Sequence, residues 1–314
     1  MWVMFSATFD DYDAYADAIE HVDTRFMVQK LDKRSWEVGD IGLPRGVRIQ
    51  LCSSGSGLIV QGSGQSGGVV LAIPAAGHFV ANGESVPVDS ALLIVTDREF
   101  LVSMPCHHRC FNIFIPDALL QSAGLQAEDG QPKWASTNVL GANSQGVGSV
   151  TSLLNRFVAI AAAGPETALS NSALANFELD LIKLVRSAYG TPHLVQDKSV
   201  GRHPTVDKDK ILRTIEIIDA EAKPYIALPE LAGRVDTSER SLRAGFQKYL
   251  GLAPSQYMQL RLMHQARRRL ASGSSQRLTV ARVSSDLGVY DFGRFAMRYQ
   301  RVFGELPSET LQRA

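Results

Sequence analysis

Residues 286–311 read DLGVYDFGRFAMRYQRVFGELPSETL. Aromatic residues in this stretch recur at four-residue steps and therefore share one face of a helix: Phe295, Tyr299 and Phe303. Gly288 is suited to close a short preceding helix, Asp291 is a candidate N-cap, and Gly304 is suited to end the aromatic helix. The stretch therefore predicts a helix, a tight turn and a second helix, which is the helix-turn-helix arrangement.

A similar pattern precedes it in the chain. A first apolar face is formed by Leu228, Leu231, Ala232 and Val235, and a second by Leu242, Phe246 and Leu250. Ser238 lies between the two faces as a candidate N-cap, and Gly251 follows the second. The sequence thus predicts two helix-turn-helix units, at about 228–250 and 279–303, joined by one long helix.

The second helix of each unit presents polar residues off its apolar stripe. In such motifs the N-terminal end of this helix enters the major groove of DNA, and arginine there can bond guanine at two positions. The candidate DNA-binding residues are Ser238, Arg240, Ser241, Arg243, Ala244 and Lys248 in the first unit, and Gly293, Arg294, Met297 and Arg298 in the second. The alternative for each set is a solvated helix face.

Charge is distributed unevenly along a chain whose net charge is zero. Residues 208–314 carry 18 Lys and Arg against 11 Asp and Glu, whereas residues 1–207 carry 14 against 21. A basic C-terminal part favours a polyanionic partner. Two domains that merely differ in surface charge remain the alternative.

The N-terminal part has a different pattern. Residues 36–115 hold short Val, Ile and Leu-rich segments separated by turn residues, which predicts a β-sandwich or barrel. Two helices are expected at about 146–163 and 168–189, followed by a polar linker at 190–207. The predicted organisation is α+β, with a sensor domain at 1–189 and an all-helical domain at 208–314.

Two motifs in the β-rich part suggest other chemistry. Gly62, Gly64 and Gly67 match a dinucleotide fingerprint, but a strand pattern follows them where a helix N-terminus is required, so a turn is expected. The stretch 106–110 contains two cysteines and two histidines, yet His107 and His108 would point to opposite faces of a strand. We therefore predict no metal and no cofactor, and no enzyme.

The two C-terminal stretches carry a family resemblance. Residues 238–270, SERSLRAGFQKYLGLAPSQYMQLRLMHQARRRL, resemble the first half of the AraC/XylS DNA-binding domain, and residues 286–311 resemble its second half. Three positions depart from the family pattern: Ser284, Val289 and Met297 stand where Ala, Phe and a polar or basic residue are usual. The β-rich part is more distantly similar to the family's cupin-like sensor and dimerisation domains, including those of ethanolamine-operon regulators.

The resemblance implies a transcription regulator. Its partners would be double-stranded DNA, RNA polymerase and a small-molecule effector bound by a cupin-like β-barrel, for which Trp36, His78 and Phe79 are candidate lining residues. A homodimer is expected if the apolar stripe Leu174, Phe177, Leu181 and Leu184 pairs between chains; packing on the barrel of the same chain is the alternative. Three cysteines, the absence of a signal-peptide pattern and the absence of a membrane-length apolar run favour a cytoplasmic, nucleoid-associated protein. A metal-dependent cupin enzyme with a fused helical domain and an effector-independent architectural DNA-binding protein are the competing functions.

Overall fold

A computed structural model describes residues 5–9, 11–31, 36–88, 90–96, 98–125, 139–141, 144–162, 170–189, 193–194, 206–221, 225–272 and 278–313. Its N-terminal part is rich in strands and its C-terminal part is helical, as the sequence predicted. Most of the predicted linker, 190–207, lies outside the described residues.

Strands are found before residue 36, where the sequence pattern first predicted them, as well as after it. They are β1 (Phe5–Phe9), β2 (Val22–Lys30), β3 (Trp36–Gly42), β4 (Arg48–Ser54), β5 (Gly57–Gly64), β6 (Gly68–Ala76), β7 (Phe79–Ala81), β8 (Glu84–Val86), β9 (Ser90–Ile94), β10 (Phe100–Met104), β11 (His108–Pro116), β12 (Val139–Gly141) and β13 (His193–Leu194). The N-terminal helices are α1 (Tyr12–Asp17), α2 (Asp117–Ser122), α3 (Ser144–Ala162) and α4 (Asn171–Tyr189). The C-terminal helices are α5 (Lys208–Ala220), α6 (Leu228–Arg234), α7 (Glu239–Leu250), α8 (Pro254–Ala271), α9 (Val280–Asp286), α10 (Phe292–Phe303) and α11 (Pro307–Arg313).

The named strands form two antiparallel sheets. The larger sheet has the order β1-β3-β4-β11-β6-β9-β12-β13, and the smaller has the order β2-β5-β10-β7-β8. A backbone hydrogen bond of 3.1 Å from Gly64 N to Val95 O links one sheet to the other. Gly64 of the apparent dinucleotide fingerprint serves this junction, because a Cβ there would lie 2.7 Å from the Val95 carbonyl carbon. Gly62 allows the close approach of β2 within the smaller sheet, because its Cβ would lie 2.1 Å from Asp23 O. The chain then enters β6 instead of a helix, as expected.

The molecule is layered. One face of the larger sheet is covered by α3 and α4, and its other face packs against the smaller sheet. Along the smaller sheet, side chains alternate between two surroundings, as the pleat requires. Val60 faces the larger sheet, whereas its neighbour Ile59 packs against the C-terminal helices. The smaller sheet therefore lies between the larger sheet and the C-terminal domain.

The apolar stripe of α4 is buried within the same chain. Leu174 and Leu181 belong to the core beneath the larger sheet, and the Phe177 ring stacks on the Phe157 ring at 3.9 Å between centroids. Glu178, which interrupts the stripe, is fully buried and accepts hydrogen bonds from Arg45 N (2.8 Å) and Val47 N (3.0 Å). This carboxylate ties α4 to the turn between β3 and β4.

The predicted caps of the two helix-turn-helix units are confirmed. Ser238 Oγ accepts a hydrogen bond from Ser241 N at 3.1 Å, and Asp291 Oδ1 accepts one from Arg294 N at 3.0 Å. Gly251 and Gly304 end α7 and α10 with φ values of 68° and 70°, a conformation that glycine adopts without steric cost. The linking helix α8 has 18 residues and so spans about 27 Å.

Among the described residues, none of the helices combines the length and the apolar character needed to cross a membrane.

Candidate functional site

The N-terminal end of α7 is open to solvent. Ser238, Arg240, Arg243 and Ala244 are exposed, and Ser241 is half-buried. Arg243 forms an ion pair with Glu239 at 3.5 Å, one helical turn away. In the described part of the chain no carboxylate lies within ion-pair distance of Arg240, so its guanidinium is free to meet a ligand. The geometry is that of a helix end able to enter a groove.

The N-terminal end of α10 is equally open. All four residues predicted to contact DNA on this helix, Gly293, Arg294, Met297 and Arg298, are exposed. Arg294 pairs with Asp291 at 3.4 Å, an exposed contact that is easily exchanged for another anion. Sequence reasoning missed Tyr290 and Phe292, whose exposed fractions are 78% and 44%. Their signal was available, since both are aromatic residues that flank the N-cap Asp291.

The C-terminal ends of these two helices contact the N-terminal domain. Ser103 Oγ on β10 donates to Leu250 O at 2.9 Å, and Leu31 N after β2 donates to Val302 O at 2.6 Å. Lys248 is half-buried, and a Cβ on Gly83 in the β7–β8 turn would lie 3.0 Å from its Cε. Lys248 thus lies near the boundary of the two domains, in contrast to the other candidate cations.

A buried polar cluster joins α1 to α8. Tyr12 Oη lies 3.0 Å from His264 Nδ1, and His264 Nε2 lies 2.9 Å from Val28 O. Burial lowers the pKa of His264 to about 4, so at neutral pH the neutral ring donates from Nε2 and accepts from Tyr12 at Nδ1. Arg267 donates to Asp13 at 2.7 Å and to Asp11 at 3.0 Å. Arg267 therefore pairs with the N-terminal domain, whereas its neighbours Arg268 and Arg269 are exposed.

A cavity lies between the two sheets. It offers about 80 Å³ to the centre of a water-sized molecule, well above the ~10–15 Å³ that one water needs. Of the three residues predicted to line an effector pocket, Phe79 lines this cavity. Trp36, on β3 of the larger sheet, is buried outside the lining, with its ring 4.8 Å from that of the lining residue Tyr15. His78 is exposed.

The polar groups of the cavity are neutral. His108 is buried, and desolvation lowers its pKa to about 4. Cys52 and Cys110 face each other across β4 and β11, and Cys110 together with burial raises the pKa of the Cys52 thiol. Asn112 Nδ2 lies 3.4 Å from Cys52 Sγ. Within the described ranges, no three His, Cys, Asp or Glu side chains come together to hold a metal ion.

The smaller sheet is a shared wall between the cavity and the C-terminal domain. Side chains that face the cavity are Thr24 and Phe26 on β2, Leu58 and Val60 on β5, and Val102 and Met104 on β10. Their neighbours on the opposite face of each strand, Met27, Ile59 and Leu101, pack with the core of α5 to α8. Helix α1 has a similar double role, because Tyr15 lines the cavity and Tyr12 contacts α8.

Comparisons with known proteins concern mainly the C-terminal part. Residues 231–313 match the family model described as "Helix-turn-helix domain". The chain is 37% identical over 101 residues to "XylDLEGF operon transcriptional activator 1" of Pseudomonas putida, a match that covers 32% of this chain and 30% of that protein. The chain thus spans less than a third of that relative's length.

Two solved structures are also similar to the chain. "A probable AraC family transcriptional regulator" from Rhodopseudomonas palustris is 30% identical and matches over 34% of this chain and 97% of that one, with a TM-score of 0.32. ToxT from Vibrio cholerae is 11% identical over 93% of this chain and 98% of its own, with a TM-score of 0.31. The family model and the sequence relatives agree with the two capped helical units described above. The C-terminal domain of this chain is a helix-turn-helix domain of the AraC/XylS type.

Proposed function

We propose that this protein is a sequence-specific DNA-binding transcription regulator whose N-terminal domain binds a small-molecule effector. The observation that carries the proposal is the pair of exposed, arginine-bearing N-terminal ends of α7 and α10, both packed on α8. Base edges in the major groove are read by side chains presented in this way. The role is regulatory and not enzymatic.

The effector would act through the shared wall. A ligand in the cavity contacts side chains of β2, β5 and β10 whose neighbours touch the C-terminal helices, so it can favour one placement of the two recognition helices over another. Ser103 and Leu31, which bond the ends of α7 and α10, lie on or beside the same strands. For this, the ligand must bind one placement of the helices more tightly than the other. It does not need to contact DNA.

We propose that Arg240 and Arg243 contact base edges and that Arg294 is the main polar reader of the second unit. Replacing Arg240 with Ala should weaken binding to the cognate site by about 1–3 kcal/mol and relax selectivity at one or two positions. The cognate site would first be selected from genomic fragments with the full chain, and affinities would then be measured for single-base variants of that site.

Arg298 provides the matched control, because we assign it to phosphate and not to a base. Arg298→Ala should weaken all sequences about equally and reduce the slope of log affinity against log salt by about one. Lys248→Ala should have a smaller effect on that slope, since Lys248 is half-buried at the domain boundary. Loss of selectivity in Arg298→Ala but not in Arg240→Ala would contradict these roles.

Other parts of the proposal concern assembly and location. We place the protein in the cytoplasm at the nucleoid, with RNA polymerase as a further partner, and we propose a homodimer. Because Leu174 and Leu181 are buried within one chain, the dimer would use the exposed faces of α3 and α4, where Ile160 is 45% exposed.

Sedimentation tests the homodimer directly. The full chain should sediment as a dimer at micromolar concentration, and Ile160→Glu should shift it toward the monomer because a charge in an apolar contact is costly to bury. Asn155 is also exposed on α3 but lies about 140° around the helix from Ile160. Asn155→Glu is therefore the matched charge control and should leave the dimer intact. A wild-type monomer would refute this part of the proposal.

A further inference from the structure

We propose that the cavity between the two sheets takes an uncharged, largely hydrocarbon molecule and excludes carboxylates. Only the identification of this molecule as the effector rests on the proposed function. The basis of the inference is the chemistry of the lining: every lining side chain belongs to the described residues, and none is Lys, Arg, Asp or Glu.

The histidine of the cavity does not supply a positive charge. His108 Nδ1 lies 3.2 Å from Cys106 O, so the ring already has a backbone partner, and the Phe79 ring meets it edge-on at 5.8 Å. Burial keeps this imidazole neutral at physiological pH. A carboxylate in the cavity would lose its hydration without gaining a cation, which is strongly unfavourable.

An apolar molecule is favoured in the cavity, in contrast to a carboxylate. Aromatic and aliphatic side chains such as Phe26, Phe100 and Met104 surround the space, and an apolar cavity of this kind tends to stay dry and to take hydrocarbons. Asn112 is the amide at the polar end, and its Nδ2 has a thiol as a weak partner at 3.4 Å. The site therefore tolerates one neutral polar group on its ligand.

The test compares toluene with benzoate, which have similar rings but differ in charge. In the full-length chain with ¹³C-methyl methionine, toluene should show intermolecular NOEs to the Met104 methyl group and none to that of exposed Met297. Benzoate should bind at least about 100-fold more weakly. Equal or tighter binding of benzoate, or toluene contacts at Met297 without any at Met104, would overturn the proposal.

Variants separate a specific site from general hydrophobic adsorption. Ala72→Phe fills the cavity and should abolish toluene binding, whereas Ala14→Phe adds the same ring at an exposed position of α1 and should not. If Ala72→Phe fails to fold, Phe100→Ala enlarges the space and should favour naphthalene over toluene about tenfold relative to wild type. Unchanged selectivity in Phe100→Ala, or retained binding in folded Ala72→Phe, would count against the site.

The proposed function is judged by a separate readout. If neither toluene nor naphthalene contacts Met104, the assigned ligand class is wrong. Footprinting of the ligand-free protein on its selected genomic fragments then decides independently whether the chain is a sequence-specific DNA-binding protein.

Discussion

Moving the two halves of the DNA site apart by five base pairs should lower the affinity of the full chain at least about 100-fold. Helices α7 and α10 both pack on α8, and their C-terminal ends are also bonded to the N-terminal domain through Leu250 and Val302. Within one effector state, these contacts hold the two helices at one separation. Subsites read by two such helices lie about 10 base pairs apart on one face of DNA, and five extra base pairs turn one subsite to the opposite face. Fluorescence anisotropy on paired duplexes measures the loss.

A ten-base-pair insertion is the matched control. It returns both subsites to the same face but adds about 34 Å between them. A rigid α8, about 27 Å long, cannot follow this change, so affinity should stay low. Full affinity at plus ten would show that the two units move independently, and retained affinity at plus five would refute the two-headed arrangement.

The helix-turn-helix units could be predicted from the sequence because their signals are local. The caps Ser238 and Asp291 bond to backbone groups three residues away, and the stripe through Phe295 repeats at helical spacing. Helix α1 could not be found in this way. It has six residues, an acidic sequence and two tyrosines whose burial depends on α8 and the cavity.

The contacts between the two domains could not be predicted from the sequence either, because they join residues that are far apart in the chain. Tyr12 and His264 are 252 positions apart in the chain, and the shared wall arises because one sheet is covered on both faces. Choosing pocket residues by size and polarity led to Trp36, His78 and Phe79. Of these, Phe79 lines the cavity, Trp36 is buried outside its lining and His78 is exposed. Periodicity identifies a buried face but not what buries it.

Acid should destabilise the folded chain well above the pH at which most carboxylates titrate. His264 and His108 have folded-state pKa values of about 4, whereas an unfolded histidine has a pKa of about 6.5. Between these values the unfolded chain binds more protons, so the free energy of unfolding falls as pH falls. The stability is fully present above about pH 6.5 and is lost toward pH 4. Each histidine should cost about 2 kcal/mol between pH 7 and pH 5.

Denaturant unfolding at a series of pH values tests this, with a variant that removes one of the two titrations. His264→Gln keeps a donor for Val28 O and should reduce the pH dependence caused by the two buried histidines by about half. Protonation of His264 would place a proton on Nδ1, where Tyr12 Oη now donates, and would bury a positive charge near Arg267, and so would weaken the contact between α1 and α8. DNA affinity of the wild type should therefore change with pH over the same range, and that change should be smaller in His264→Gln. An identical pH dependence of DNA affinity in the wild type and in His264→Gln would show that the cluster at α1 and α8 does not govern the junction between the domains.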